Sequence, residues 1–508
     1  MSAAGERIKF TASTFSHPRL FLIASLILLG VLFATSTYRV STQGFSVNEA
    51  RHLLPVLRDH NHAGSLDQHT LDVVLSDVSI RTLGLSEFAL RLPSVAGGLV
   101  YFLAILRLCR LLFGESWWLV LSVALNTLNP LILDYCSGGW GYSLGLALWA
   151  VGAYFIARWV TDGERVPILA GVALGLAVAS SLAQIFAVAA IEIVFAAMVL
   201  TDRMIKGDRR GAARFTAWDG PLFVLATLAG ALIVLWAPLR DTPPVLAAAT
   251  ELRYQDTLKS LAYVLAVYKT TFLTSLGRLS GLIVRTSWLL FPALFAGLAI
   301  AAASIARARL RAKNQTTVDR ADRLVLLLGL TTLLGFLFLA IEPRLAHHRY
   351  FAPRGSFIML PLIFTAGPLF LKWLGTRHDK ARSLAIAGLV PLLLLLLNFA
   401  LQFNLNSYYD APADESTIAV VEFLRKSHAM NPDQHITIAA DSSFYEALGY
   451  LMWRYRMSWM TVTDDLGAPG LDFVYLRDGQ FDRLKGPGLR EVLRDNATGA
   501  VLAQEMRP

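Results

Sequence analysis

The chain alternates between long apolar runs and short polar stretches, and the lengths of the runs set the first expectation. A helix needs about 20 apolar residues to cross the hydrocarbon core of a bilayer. Runs close to that length cover Leu20–Tyr38, Leu92–Phe113, Leu119–Leu133, Ser143–Val160, Ile168–Ser181, Ile185–Leu200, Leu222–Leu239, Ile283–Ala303, Leu324–Ile341, Ser356–Leu371 and Leu384–Ala400. They predict an all-α polytopic membrane protein of about eleven spans, counted by that length rule. The fifth and sixth runs are separated only by Leu182-Ala183-Gln184, and merging them would reverse the orientation of every later span.

Charge placement tests this count. With the N-terminus inside, the cytoplasmic loops are 201–221, 304–323 and 372–383. The first carries Arg203, Lys206, Arg209, Arg210 and Arg214, the second Arg307, Arg309, Arg311, Lys313, Arg320 and Arg323, the third Lys372, Arg377, Lys380 and Arg382. All three fall on one side, as the positive-inside rule requires, only if 168–200 crosses twice. The opposite, external face then holds 39–91, 134–142, 240–282, 342–355 and everything after Gln402. Basic residues Arg7, Lys9 and Arg19 precede the first run without a small-residue cleavage pattern, so an uncleaved first span is expected.

Two polar regions interrupt the pattern. One is the loop 39–91, rich in acids, bases and histidines between two spans. The other is the tail, 404–508, where long apolar runs give way to frequent Asp and Arg. Helical periodicity over Ser416–Lys426 and the short apolar stretches Ile436–Ala440 and Phe473–Leu476 predict a small external α/β domain after a transmembrane domain at 1–403.

Composition agrees with the membrane reading. The 508 residues are 55% hydrophobic and 16% charged, against about 25% charged in soluble domains. The net charge of +9 resides in loops between spans, so no nucleic-acid partner is expected. Cys109 and Cys136 lie at opposite ends of neighbouring runs and suggest neither a disulfide nor a metal site. No metal and no cofactor are expected.

The predicted orientation gathers the chemically able residues on the external face. Glu49 follows the first span, Asp134 the third, and Glu342-Pro343-Arg344-Leu345-Ala346-His347-His348-Arg349-Tyr350 the ninth. Carboxylates there serve acid–base chemistry and cations serve a phosphate. Each residue also has a plainer reading. Taken singly, Glu49 and Asp134 read as solvated acids at helix ends, and Arg344 and Arg349 also as anchors snorkelling to headgroups. His347 and His348 are adjacent, point apart on a helix and lack a third ligand. His52, His60 and His62 read as loop residues, and Gly138-Gly139 as a turn, with no Walker or dinucleotide pattern around it.

Several stretches together resemble the C-type membrane glycosyltransferases, in the branch that holds the protein O-mannosyltransferases and the aminoarabinose transferase of lipid A. Asn48-Glu49-Ala50-Arg51 resembles that family's acidic pair after the first span. Asp67-Gln68-His69-Thr70-Leu71 is similar to its His- or Lys-Pro-Pro-Leu segment. Gly84 to Ser94 resembles its Gly-x-Ser-Glu-x-Ala-x-Arg-Leu-Pro-Ser entry to the second span and is the most specific match. Asn129 to Tyr142 resembles its Asn-Pro, acid and Gly-Tyr stretch, and Arg349-Tyr350 with Pro353 a late Arg-Tyr-x-x-Pro. The resemblance covers about the first 160 residues well, the middle by hydropathy, and the tail hardly at all.

The resemblance implies a polyprenyl-phosphate sugar donor drawn from the bilayer and an inverting transfer on the external face. A carboxylate general base deprotonates the acceptor, which is a protein, a lipid or a polysaccharide, and cations hold the leaving phosphate. It places the protein in a bacterial inner membrane with the catalytic face periplasmic. The family's first acid is Asn48 here, and an amide takes no proton at neutral pH. Glu49 is therefore the first candidate base and Asp134 the second acid, with His69, Arg344 and Arg349 on the phosphate side. A transporter or lipid flippase is the rival reading. It would need ionisable residues or broken helices within the spans, which are nearly free of charge. An assembly scaffold acting through the tail is the third.

Overall fold

The computed structural model describes residues 19–43, 46, 49–50, 69–205, 207–241, 294–305, 307, 320–345, 359–377, 381–403, 405, 415–441, 444–484, 488–495 and 499–505. Within these residues the apolar runs fold as helices. They are α1 (Arg19–Thr42), α2 (Thr70–Leu83), α3 (Glu87–Phe113), α4 (Trp117–Thr127), α5 (Pro130–Ser137), α6 (Tyr142–Asp162), α7 (Pro167–Ser180) and α8 (Gln184–Ile205). Then come α9 (Arg209–Arg214), a π turn at Phe215–Asp219, α10 (Gly220–Asp241), α11 (Leu294–Ile305), α12 (Arg320–Leu345), α13 (Leu360–Arg377) and α14 (Arg382–Leu401). Among the described residues, seven helices are long and apolar enough to cross a bilayer, and eight if a bent pair counts as one span.

The bent pair is the expected third span. It divides into α4 and α5 with a 61° bend. Pro130 stands at the start of α5, where its missing N–H costs nothing, and Asn129 Oδ1 accepts from Leu131 N–H at 2.9 Å. The expected fifth and sixth spans are separate helices, α7 and α8, parted at Ser181–Ala183. In lipid, helices associate through close packing rather than apolar burial. Accordingly α7 meets α10 across Gly171 and Gly175, where an added Cβ would lie 2.5 Å from Phe223 O and 2.1 Å from Thr227 O. One carboxylate does lie within a span: Glu192 of α8 accepts from Thr227 Oγ1 at 2.6 Å.

The two ends of the bundle differ in chemistry. At one end, Asp322 accepts from Trp373 Nε1 at 2.8 Å and from Arg377 Nη2 at 2.5 Å, and Arg323 lies 3.6 Å from Asp202. Arg165 lies 3.6 Å from Asp219, and Lys372 donates to Phe113 O at 3.1 Å. The described parts of the three basic loops therefore share this end. The start of α3 lies at the other end, as do the first loop and the turn between α5 and α6.

The tail folds as α15 (Glu415–Met430), β1 (Ile436–Ala440), α16 (Tyr445–Arg454), β2 (Met460–Thr463), β3 (Phe473–Arg477), α17 (Asp478–Leu484), β4 (Leu489–Asp495) and β5 (Ala500–Glu505). The sheet order is β2-β1-β3-β5-β4, with β1 parallel to both β2 and β3, and β5 antiparallel to β3 and β4. Strand alternation sends Ile436 and Ile438 toward Val420, Leu424 and Leu448 of the helices, and Ala439 toward the opposite face with Val474 and Phe481. The first of these cores also takes in Ala50 and Leu90. Arg454 of α16 pairs with Glu87 in the first turn of α3, so the tail sits against the entry to that helix.

Candidate functional site

The start of α3 positions the centre of the site. Ser86 caps the helix, its hydroxyl accepting from Ala89 N–H at 3.1 Å, and this sets Arg91 one turn inside. Arg91 is fully buried. Its Nε donates to Glu49 Oε1 at 2.6 Å and its Nη2 to Glu49 Oε2 at 2.9 Å, a two-point fork. Its Nη1 donates to Val40 O at 3.0 Å and Gln43 O at 2.9 Å. Gly139 N–H reaches Glu49 Oε1 at 2.7 Å and Ser46 N–H reaches Glu49 Oε2 at 2.7 Å. Each carboxylate oxygen of Glu49 thus accepts two N–H bonds. Trp140 Nε1 donates to Ser46 Oγ at 2.8 Å and closes the ring. One ion pair therefore ties the end of α1, the first loop, α3 and the α5–α6 turn together.

A second buried pair lies alongside. Arg39, in the last turn of α1, donates through Nη2 to Asp134 Oδ1 of α5 at 2.5 Å, both side chains being 2% exposed. With its amide oxygen facing the guanidinium, Gln43 accepts from Arg39 Nε at 2.8 Å. The bend at Pro130 turns α5 so that Asp134 meets α1.

The third group is a carboxyl without a cation. Asp72, in the first turn of α2, is 3% exposed, and Ser94 Oγ of α3 donates to its Oδ1 at 3.4 Å. Among the described residues no cation forms an ion pair with it. Burial lifts its pKa from the ordinary 3.8 to about 7; the Ser94 hydrogen bond opposes the rise and the Glu49 charge adds to it. One turn back, His69 Nδ1 bonds Ser180 O at 3.0 Å, and Tyr142 meets the imidazole edge-on with centroids 4.3 Å apart. A carbonyl only accepts, so Nδ1 carries the proton. His69 and Asp72 both pack on Gly141, whose φ of +70° and lack of Cβ admit them: a Cβ there would lie 2.8 Å from His69 Cβ and 2.9 Å from Asp72 Cβ.

The sequence candidates are thus placed as follows. Glu49, Asp134 and His69 come together at this end of the bundle. Arg344 falls in the last turn of α12, at its end away from the basic loops. Arg349, with Asn48, His52, His60, His62, His347 and His348, lies outside the described residues. Sequence reasoning missed Arg39, Arg91 and Asp72 as site residues. Arg91 was visible as a charged residue in an otherwise apolar entry to a span, and Asp72 as an acid between Leu71 and Val73.

Comparison with known proteins follows the same lines. The model of the dolichyl-phosphate-mannose-protein mannosyltransferase family matches residues 75–210, a stretch that holds Arg91 and Asp134. None of the curated proteins matches the chain. Two solved structures of ArnT from Cupriavidus metallidurans share the fold at TM-score 0.50 and 12% identity. The apo form covers 96% of this chain and 98% of that one. The form bound to undecaprenyl phosphate covers 97% and 98%. The helical bundle with its C-terminal sheet therefore shares the fold of ArnT along nearly the whole chain.

Proposed function

We propose that this protein is a membrane glycosyltransferase that moves a sugar from a polyprenyl-phosphate donor to an acceptor hydroxyl on a protein, lipid or polysaccharide, with inversion and a carboxylate general base. The observation that carries the reading is the coincidence of two things. The fold matches a protein solved with undecaprenyl phosphate, and three buried carboxyls and two buried arginines converge where that fold meets the first loop. Charges removed from water at such cost belong to function more often than to stability.

Glu49 and Asp134 are the proposed site carboxylates. The four N–H donors on Glu49 favour a holding role, in which it keeps the first loop and the Gly139 turn in register with α3. Asp134 does the same between α1 and α5. His69, Arg344 and Arg349 are the proposed phosphate side, where cations stabilise the charge left on the departing lipid phosphate. The site end is proposed to face the periplasm of a bacterial inner membrane, because the basic loops share the other end. Single cysteines introduced in the tail should react with impermeant reagents from outside intact cells, and protection there would reverse the assignment.

The direct test uses purified protein in liposomes with a polyprenyl-phosphate sugar and mixed acceptors. Release of polyprenyl phosphate with sugar transfer is the expected result. Arg349→Glu should weaken donor binding at least ten-fold, an effect of the size of a lost charge-assisted contact, while Arg307→Glu leaves it within about two-fold. Lipid moved between leaflets without any transfer would instead favour the transporter.

A further inference from the structure

We infer that Asp72 is the proton-accepting carboxylate of the transfer, a role that rests on the glycosyltransferase reading above. Three carboxyls are buried in the site, and they are held differently. Glu49 accepts from four N–H groups, two of them from Arg91, and Asp134 is paired with Arg39. Carboxylate oxygens already taken up by N–H donors have little left to offer an acceptor hydroxyl. Asp72 is the exception. Among the described residues its one hydrogen bond is the long contact from Ser94 Oγ, and it is 3% exposed.

The plain reading of an acid in a first helical turn is a cap. Here that reading fails on geometry. The α2 terminus shows no side-chain cap at His69, and Asp72 bonds across to α3 rather than to the N–H groups of its own helix. The groups facing Asp72 are also accounted for. From the first loop come Glu49 and His69, and from α3 Ser94 and, through Glu49, Arg91. At the start of α6, Gly141 packs on both Asp72 and His69, Tyr142 meets the His69 ring, and the Ser143 hydroxyl donates to Ser94 O at 2.8 Å. Helix α7 has no ionisable side chain, and α10 has only Arg240 and Asp241, at its end. Beside Asp72 stand the hydroxyl of Ser94, the imidazole of His69 and the Glu49–Arg91 pair, in which each charge has its counter-ion, and the Arg39–Asp134 pair alongside is likewise matched. That setting keeps a carboxyl titrating near neutrality, where a general base works best.

The step balances. The acceptor hydroxyl oxygen bonds to the anomeric carbon as the bond from that carbon to the phosphate oxygen breaks. The bonding pair leaves with polyprenyl phosphate, and the hydroxyl proton goes to the Asp72 carboxylate, which releases it to water before the next cycle.

The experiment is a pH profile of transfer by the full chain in liposomes, with a polyprenyl-phosphate sugar as probe. The wild type should gain rate as pH rises through about 7, as Asp72 ionises. Asp72→Asn should lose that limb and about 10²–10⁴ in kcat, the usual cost of a positioned base, with donor KM within about three-fold. Ser94→Ala removes a hydrogen bond that favours the carboxylate, so its limb should move to higher pH. A purely structural Ser94 would move no limb. Infrared difference spectra between about pH 5 and about pH 9 read the carboxyl without activity, and a protonated-carboxyl band absent from Asp72→Asn is expected. An Asp72→Asn enzyme with wild-type kcat and limb overturns the role, as does a missing carboxyl band. A wild type that binds donor yet transfers nothing overturns the glycosyltransferase reading, and the Asp72 role with it. Transfer with an unmoved limb overturns Asp72 alone.

Discussion

Both ends of the bundle carry arginine–carboxylate pairs, and they could hardly be less alike. At the basic end Arg110 and Glu115 pair while 54% and 22% exposed, and Arg158 pairs with Glu164 in similar surroundings. At the other end Arg91 and Glu49 are both 0% exposed. An exposed pair exchanges water for a partner at little gain. A buried pair gives up the hydration of both ions, several kcal/mol each, and a hydrophobic substitute is often as stable. Pairs of the first kind need only topology to explain them, since any arginine there keeps the loop on its side of the membrane. Pairs of the second kind need geometry: each joins segments far apart in sequence, 42 residues for Glu49–Arg91 and 95 for Arg39–Asp134. One end is therefore oriented by charge, and the other is assembled by it.

The largest effect that tests this contrast is at Arg91. Arg91→Ala leaves Glu49 buried and without its fork, and breaking a buried pair costs roughly 3–5 kcal/mol. The detergent-solubilised variant should lose most of its thermal stability and its transfer activity together. Arg91→Lys should rescue only part, since an ammonium cannot make the two-point contact or keep the bonds to Val40 O and Gln43 O. An Arg91→Ala protein as stable as wild type would reduce this end to the character of the other.

A smaller effect of opposite sign is expected at Asp72. In the folded chain it holds its proton up to about pH 7, and in the unfolded chain only to its ordinary 3.8. The raised value means that the protonated form is favoured by folding. Its stabilising share is present below the unfolded value and lost as pH rises through the folded one. Asn cannot ionise, so Asp72→Asn should gain on wild type between about pH 4 and pH 7 and keep the gain above, by a few kcal/mol at most. Thermal melts at a series of pH values read this directly. A difference independent of pH would mean that the carboxyl is not titrating where its burial places it.

Legibility in the sequence divides along the same line. The bundle was readable because a span is a local property. A run such as Arg382–Leu401 declares itself by length and composition, and the basic loops declare their shared end. The tail strands at Ile436–Ala440 and Phe473–Arg477 were readable for the same reason. The bend at Asn129-Pro130 was not read, because the run Leu119–Leu133 is apolar on both sides of it and hydropathy is blind to direction. Glu49, His69 and Asp134 were found by where they fall relative to spans. Their partners were not. Arg39 and Arg91 look like ordinary charges at span ends until the fold brings a carboxylate to each. Asp72 is an acid in the first turn of an amphipathic stretch, which usually means solvent. Its burial depends on Gly141, more than sixty residues on, having no side chain.

The smallest expected effect completes the comparison. Arg110 sits in the last turn of α3, beside Gly114, whose φ of +64° ends the helix without help from the ion pair. Arg110→Ala removes one exposed partner and leaves Glu115 with water to replace it, so the loss should be within about 1 kcal/mol. Mobile ions screen such a pair over a Debye length of about 8 Å at physiological salt and about 3 Å at 1 M, so even this loss should fade as salt is added. The loss from Arg91→Ala should not, because ions do not reach a pair with no exposed surface. Melting temperatures of both variants across a salt series separate the two cases. A salt-insensitive loss at Arg110 comparable to that at Arg91 would mean that α3 is clamped by charge at both ends. The division between an oriented end and an assembled one would then fail.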